Sequence, residues 1–318
     1  MMHTPGSDLA DTHFETRVKM SKMKLDSPSL FVKDTLFTPD PTEAHDPWSY
    51  VDMHCHLDRM ANAAEVATHA QERRIAILCT TVTPDDAASA QDVLAESRNV
   101  RIAAGLHPWW VTDGPKGTAD AAQAAALAAI SDYVGEIGLD FSPAHKHNAR
   151  AQIAAFERIV SSCAAKPRRG RVISIHAVQS ASDALDMLEA HGLPDHATCI
   201  FHWFSGTSAD LARIRHLGCH ISVNERMLAT KRGREYARQM PLNQLHLETD
   251  APPQAGTPPH ADTSPQADTS PQARAPYPVD ELERSLNRTL EALARIRGVE
   301  QEELAALMAQ ASSKLIDI

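Results

Sequence analysis

The sequence predicts one α/β domain of the (β/α)8 class, a barrel of eight parallel strands (TIM barrel). Eight short apolar runs alternate with helix-like segments along the chain, which is the pattern that such a barrel produces. The length of 318 residues accommodates it, since a barrel of this class needs roughly 250. The alternative, an open doubly wound sheet, is disfavoured because no G-x-G-x-x-G sequence follows the first predicted strand.

The elements follow from the apolar pattern. The predicted strands are 50–54, 75–80, 100–106, 132–138, 171–176, 198–203, 219–223 and 244–248. The predicted helices are 61–73, 84–97, 118–131, 148–165, 181–190, 207–217, 232–239, 279–297 and 301–315. In the segment 148–165, apolar residues recur at helical spacing, and we expect them to face the sheet; they are Ile153, Phe156, Ile159 and Val160.

Two polar segments fall outside this alternation. Residues 1–47 lack periodicity and carry Pro39, Pro41 and Pro47 near their end, so we predict a flexible, disordered N-terminal extension before a barrel domain at 48–318. Residues 252–278 are rich in Pro, Ala, Thr and Gln and contain the sequence ADTSPQ twice in tandem. This composition predicts a long, mobile low-complexity loop after the eighth strand.

Charge and cysteine usage narrow the function classes. A net charge of −10 argues against a broad basic nucleic-acid surface, although bound divalent cations would reverse the sign locally. Five scattered cysteines without a C-x-x-C pair predict reduced thiols in a cytoplasmic protein. The sequence contains neither a run of about 18 apolar residues nor a signal-like apolar segment, so we predict no membrane association.

Polar residues interrupt the apolar runs where several predicted strands end. His54 and His56 flank Cys55, and the alternation of an extended chain places both imidazoles on one face and the thiol on the other. Four later strands end in Glu136, His176, His202 and Asp250. In a parallel barrel these ends meet at one face. An open zinc site takes about four ligands, so six candidates favour two metals that share a carboxylate.

The motifs around these residues resemble those of the TatD family of metal-dependent deoxyribonucleases, within the amidohydrolase-like barrels. In family order they are DMHCHLD at 52–58, GLHP at 105–108, GEIGLD at 135–140, SIH at 174–176, HWFSG at 202–206 and LETDAP at 247–252. The variants HWFSG and ISVN at 221–224 look closest to the TatD-like nuclease subunit (QatD) of Qat-type anti-phage defence systems.

The resemblance implies a role for each candidate ligand. One divalent cation would be held by His54, His56 and Asp250, and the other by His176 and His202, with Glu136 as the bridge. Asp250 would also orient or deprotonate the attacking water, so Asp250 and Glu136 are the predicted catalytic residues. The implied cofactors are two ions of Mg, Mn or Zn. The implied reaction is nuclease cleavage of DNA phosphodiester bonds, including exonucleolytic cleavage, on single strands or ends.

Five further residues are predicted to contact substrate. His107 matches a family position near the substrate pocket, with simple packing at the strand end as the alternative. Trp109 and Trp203 offer stacking surfaces for bases, while Arg59 and Lys231 border the site and offer charge to a phosphate. Trp203 stands where family members often have cysteine, and Val178 stands where many have arginine.

Two other functions fit the same residues. Barrels of this type also hydrolyse small amides, esters and lactones with the same metal pair, so a small-molecule hydrolase is one alternative. The other is a subunit of an antiviral defence complex that is active only with partner proteins. The extension at 1–47 and the insertion at 252–278 favour this second alternative.

Overall fold

A computed structural model of the chain describes residues 48–253 and 275–318. The predicted extension at 1–47 lies outside the described residues, and so does most of the predicted loop at 252–278. Across the described ranges, no helix combines the length and the apolar character that crossing a membrane requires.

The described chain forms a (β/α)8 barrel, which confirms the predicted fold class. The strands are β1 Tyr50–Cys55, β2 Ile75–Thr80, β3 Val100–Leu106, β4 Tyr133–Asp140, β5 Val172–Val178, β6 Thr198–Phe201, β7 His220–Val223 and β8 Leu245–Leu247. They pair in parallel in the order β1 to β8. The site-forming loops therefore follow the strands at one face of the barrel.

Helices follow the strands and cover the outside of the barrel. They are α1 Ala63–Glu72, α2 Pro84–Val93, α3 Gly114–Ile130, α4 Ala149–Ala165, α5 Ala181–Ala190, α6 Ser208–His216, α7 Glu225–Ala229, α8 Lys231–Gln239, α9 Glu281–Arg297 and α10 Gln301–Leu315. The short α7, which begins directly after β7, was not predicted. Its N-cap is Asn224, whose side chain accepts a hydrogen bond from the backbone N–H of Met227 (2.9 Å).

The residues that follow β8 join that strand to β1. Asp250 N–H donates to the carbonyl of His54 (2.9 Å), and His56 N–H donates to the carbonyl of Ala251 (2.7 Å). The Thr249 hydroxyl donates to the carboxylate of Asp52 (2.6 Å). This seam nearly closes the barrel, and it holds Asp250 beside the two histidines of β1.

The predicted inward face of the fourth helix is partly wrong. Phe156, Ile159 and Val160 are buried, but Ile153 is 36% exposed. Gln152 takes the core-facing position of that turn, because its amide accepts from Asp140 N–H (2.8 Å) and donates to the carbonyl of His145 (2.8 Å). A polar residue with both ends of its amide satisfied is stable in the core, and it displaces its apolar neighbour to the surface.

A histidine pair, of which His246 is buried and His220 partly buried, fastens α10 to the barrel wall. His220 of β7 and His246 of β8 stack in parallel, and their ring nitrogens Nδ1 and Nε2 are 2.7 Å apart. The other nitrogen of His246 is 2.8 Å from the hydroxyl of Ser312 in α10. Burial lowers the pKa of His220 to about 4, and burial lowers the pKa of His246 well below its usual value.

We therefore expect mild acid to destabilise the fold. The pKa of His220 is 6.5 unfolded and about 4 folded, so the unfolded chain binds the proton more readily, and the free energy of unfolding falls as the pH drops between these values. This histidine alone accounts for at most about 3 kcal/mol of the free energy of unfolding.

Urea unfolding at pH 7 and pH 5 tests this expectation. His220→Asn, which keeps a bonding group but cannot titrate, should lose less stability than the wild type. His216→Asn, at an exposed position, is the control. Equal losses in all three proteins would contradict the expectation.

Candidate metal centre

A break in the regular pairing of β1 turns the two histidines into the barrel. Asp52 pairs with Ile77 and Cys55 with Cys79, and the register shifts between the two pairs. Met53 therefore lies in the apolar cluster that the strands enclose, whereas Cys55 lies in the cluster between strands and helices. β-Bulges of this kind redirect side chains next to active sites. As predicted, Cys55 points away from the histidines, and its thiol contacts the carbonyl of Ala251 (3.4 Å).

Glu136 lies at the centre of the polar cluster. Its Oε2 is 3.2 Å from Nε2 of His54 and 3.2 Å from Nε2 of His56. Its Oε1 is 2.7 Å from Nδ1 of His176 and 2.8 Å from Nε2 of His202. Asp250 Oδ1 completes the first group, at 3.5 Å from Nε2 of His56. The six side chains predicted from the ends of five strands thus lie together, and each oxygen of Glu136 faces one of two groups.

Hydrogen bonds at the far side of each ring fix which nitrogen faces the cluster. His56 Nδ1 is 2.7 Å from the carbonyl of Thr80, to which it must donate, so the lone pair of the neutral ring lies on Nε2. His54 Nδ1 is 2.7 Å from the hydroxyl of Ser174, and this contact turns Nε2 of that ring toward the cluster. The inward atoms His54 Nε2, His56 Nε2 and Glu136 Oε2 are buried and have no hydrogen-bond partner. Buried polar atoms without partners are costly, and a cation between them would satisfy all three.

The second group is supported by two acidic side chains. Asp140 Oδ2 is 3.3 Å from Nε2 of His176, so the ring presents Nδ1 to Glu136. Asp140 is itself fixed by the indole N–H of Trp109 (2.6 Å) and the backbone N–H of Ser142 (2.8 Å). Glu248 Oε1 lies 3.8 Å from Nδ1 of His202. Carboxylates behind metal-binding histidines commonly orient the ring and increase its basicity.

The electrostatics of the cluster favour a bound cation. Burial raises the pKa of Glu136, but the charges of His107, His202 and His54 outweigh it and hold the pKa well below its usual value. Burial lowers the pKa of His56, yet the carboxylates of Asp250 and Glu136 raise it overall to about 10. The carboxylates thus stay ionised and attract positive charge. A divalent cation would replace these protons, because metal ligands bind in their deprotonated form.

Comparison with known proteins identifies the family. A family model described as TatD related DNase matches residues 51–317. The chain belongs to the TatD family. A protein of Mycobacterium tuberculosis named uncharacterized metal-dependent hydrolase TatD is 32% identical over 219 residues, which is 64% of this chain and 79% of the relative. Deoxyribonuclease Tat-D of Schizosaccharomyces pombe is 30% identical over 119 residues, or 37% of each chain.

A solved TatD structure has the same fold. The crystal structure of YJJV, a TatD homologue from Escherichia coli K12, superposes with a TM-score of 0.65 at 21% identity and covers 85% of this chain and 98% of its own. The family model and the Mycobacterium tuberculosis relative identify the chain as a metal-dependent hydrolase of the TatD family. Its histidine and carboxylate clusters fit metal binding.

The predicted substrate contacts of this TatD protein take different positions. His107 is buried with Nε2 at 3.1 Å from Glu136 Oε1, so it borders the cluster itself. Trp109 uses its indole N–H on Asp140 and stacks on His145 (4.6 Å). Arg59 lies above the ring of Trp110 (5.3 Å) and near Asp86 (3.7 Å).

The other two residues predicted to contact substrate are Lys231 and Trp203, and they differ in exposure. Lys231 is exposed at the first residue of α8, and within the described residues its side chain contacts none of the six candidate ligands. Trp203, which follows His202, is partly buried against the core and carries Arg226 above its ring (5.4 Å). The roles of all five in substrate binding stay predictions.

Sequence reasoning missed two groups near the TatD cluster. Asp140 lies four residues after Glu136 on β4, and alternation along a strand indicates that the two share a face. On β5, Ser174 lies two residues before His176, so these two residues also share a face. By contrast, Arg226 reaches Trp203 from a different element, and no sequence spacing indicates that contact.

Asp140→Asn should weaken metal binding by about 10- to 100-fold, the usual effect of losing a carboxylate behind a metal-binding histidine. An asparagine amide can present its N–H₂ to His176 Nε2 and so favour the wrong tautomer. Competition with a chromogenic chelator measures the affinity. Asp120→Asn, in a carboxylate that pairs with Lys116 on α3 (2.6 Å), is the control. An affinity equal to that of the wild type would contradict the assignment of Asp140 as the residue that positions His176.

Proposed function

We propose that this TatD-family hydrolase cleaves DNA phosphodiester bonds with two divalent cations. The observation that carries the proposal is the convergence of three buried atoms that have no hydrogen-bond partner. His54 Nε2 and His56 Nε2 each lie 3.2 Å from the third atom, Glu136 Oε2. In this proposal Asp250 completes that group, and His176 and His202, together with Glu136, would hold the second cation. The name of the fission-yeast relative, a deoxyribonuclease, supports the choice of substrate.

Bound there, divalent cations would supply Lewis acidity and a nucleophilic water to a phosphoryl centre. The residues of the chain accept the proton and orient the ligands. Asp250, whose side chain is 16% exposed against 1% for Glu136, is the carboxylate nearest solvent and accepts the proton of the attacking water. Glu136 keeps the two halves of the cluster in register. Thr80, Ser174 and Asp140 hold the imidazoles in the required orientation.

The depth of the cluster supports unpaired strands or ends as substrates. The side chains of His54 and His56 are 0% and 2% exposed, so the reacting phosphate must enter the barrel mouth. A single strand or a terminus reaches such buried side chains more easily than a continuous duplex does. Exonucleolytic cleavage therefore belongs to the proposal.

Nuclease assays paired with metal analysis test this function. Purified full-length protein is incubated with end-labelled single-stranded and duplex DNA under Mg, Mn or Zn, and its metal content is measured by mass spectrometry. We expect cleavage of single strands and close to two ions per chain. Turnover of small amides, esters or lactones without DNA cleavage would overturn the proposal and favour the small-molecule hydrolase.

We further propose that the nuclease acts in anti-phage defence together with partner subunits. The HWFSG and ISVN variants and the segment at 252–278 support this role. Cells that carry the complete system are challenged with phage, with and without Glu136→Gln in this chain. Equal plaque counts in the two strains would argue against a defensive role for the nuclease. Deletion of 1–47 or 252–278 should reduce co-purification of the partners.

A further inference from the structure

An arginine and a tryptophan from different loops meet beside the candidate metal centre. Trp203 directly follows His202 after β6, and Arg226 belongs to α7, directly after β7. The guanidinium carbon of Arg226 lies 5.4 Å from the centre of the Trp203 ring, within the range of a cation–π interaction. Both residues follow strands at their carboxyl ends, which is the face where the six candidate ligands lie.

The site is built, because both residues are held by their surroundings. The side chain of Trp203 packs against the core. Its backbone has a φ of 40°. Bulky residues rarely adopt such a positive φ, and residues that do so are concentrated at ligand sites. Asn224, the N-cap of α7, donates from its side-chain amide to Glu248 Oε1 (2.7 Å). Since Glu248 faces His202, this bond ties the start of α7 to the cluster.

The charge of Arg226 is left available. Within residues 48–253 and 275–318, no carboxylate pairs with its guanidinium, which lies over the ring of Trp203. The adjacent Glu225 faces α9 instead, where its two oxygens accept from Arg288 (2.8 and 2.9 Å). By comparison, Arg59 lies above Trp110 but also 3.7 Å from Asp86. Arg226 is therefore a partly buried cation whose neighbouring carboxylate is already paired.

A cation–π contact with an indole leaves a guanidinium suited to anions. Such a contact uses none of the N–H donors in a hydrogen bond, and their fork geometry matches the oxygens of a phosphate. We propose that Arg226, seated on Trp203, binds a backbone phosphate next to the scissile one. This inference rests on the proposed function, since it assigns a subsite for a phosphodiester strand. Trp203 acts in it as a positioning residue.

Loss of this contact should weaken substrate binding more than turnover. Arg226→Gln should raise KM for a single-stranded oligonucleotide by about 10-fold with kcat nearly unchanged, since the lost contact is made equally in the ground and transition states. The slope of log K against log salt should become shallower by about 0.7, the value for one phosphate contact on single strands. Arg226→Lys should recover part of the KM. Arg215→Gln removes an equal charge from the exposed end of α6 and should leave KM unchanged.

A methylphosphonate scan gives the deciding result. Oligonucleotides that carry one uncharged linkage at successive positions are titrated against wild type and Arg226→Gln. At one position near the cleaved bond, the wild type should lose about 10-fold in affinity and the variant should lose little. Equal losses in the two proteins at every position would overturn the subsite, even where the wild type cleaves DNA normally. Absence of DNA cleavage by the wild type under any metal is the separate result that would overturn the proposed function.

Discussion

Glu136→Gln should abolish metal-dependent hydrolysis, with kcat reduced by about 1,000-fold or more. The carboxylate contributes one oxygen to each group of imidazoles, at 3.2 Å from His54 and 2.8 Å from His202. Glutamine keeps the shape of the side chain, but its N–H₂ cannot ligate a cation. Metal chemistry supplies several kcal/mol of transition-state stabilisation, and each 1.4 kcal/mol corresponds to a factor of ten in rate.

The measurement is steady-state hydrolysis of a chromogenic phosphodiester together with the metal content of the purified variant. Glu235→Gln, which alters a partly exposed carboxylate of α8 that pairs with Arg238, is the matched control and should behave as the wild type. Circular dichroism verifies that both variants fold. A Glu136→Gln protein with full activity and two bound ions would show that Glu136 does not bridge them.

Asp250→Asn should reduce kcat by about 100- to 10,000-fold, the range for loss of a general base, while most of the bound metal is retained. Asp250 Oδ1 lies 3.9 Å from His54 Nε2, whereas Glu136 Oε2 lies 3.2 Å away. Asp250 is thus the looser and more exposed member of its group. Burial raises its pKa, but the nearby imidazoles of His56, His202 and His54 lower it overall, so the carboxylate is ionised and able to accept a proton at neutral pH.

Rapid-quench measurement of a single turnover separates this effect from product release. The control is Asp132→Asn, which removes a carboxylate that pairs with Arg168 (2.6 Å) and precedes β4. If Asp250→Asn lost its metal completely and regained activity at high metal concentration, Asp250 would be a ligand without a role in proton transfer.

Much of the fold could be predicted because its signals are local. The bounds of β2, β3, α5 and α10 match the predicted segments residue for residue, since a short buried strand and an amphipathic helix differ in their apolar period. The failures came from long-range partners. Ile153 has an apolar side chain at a helical spacing, but the bonds of Gln152 to Asp140 and His145 decided which residue faces inward.

The candidate site was also predictable only in part. The sequence alone determined the chemical types, because six histidine and carboxylate side chains, the types that commonly ligate metals, end strands that a parallel barrel brings to one face. Only the tertiary structure decided their directions. The shift in register between Asp52 and Cys55 turns His54 inward, and the bonds to Thr80 and Ser174 select the nitrogen that faces Glu136.

The pair of Arg226 and Trp203 is the furthest from sequence prediction. Its two residues come from loops after different strands, and their meeting depends on how α7 is anchored through Asn224 to Glu248. The sequence therefore determined the barrel and the kind of chemistry at its mouth, because strand and helix periods and side-chain types are properties of short segments. The structure decided the orientation of the imidazole rings and the position of the Arg226 charge, because these depend on hydrogen bonds and contacts between segments far apart in the chain.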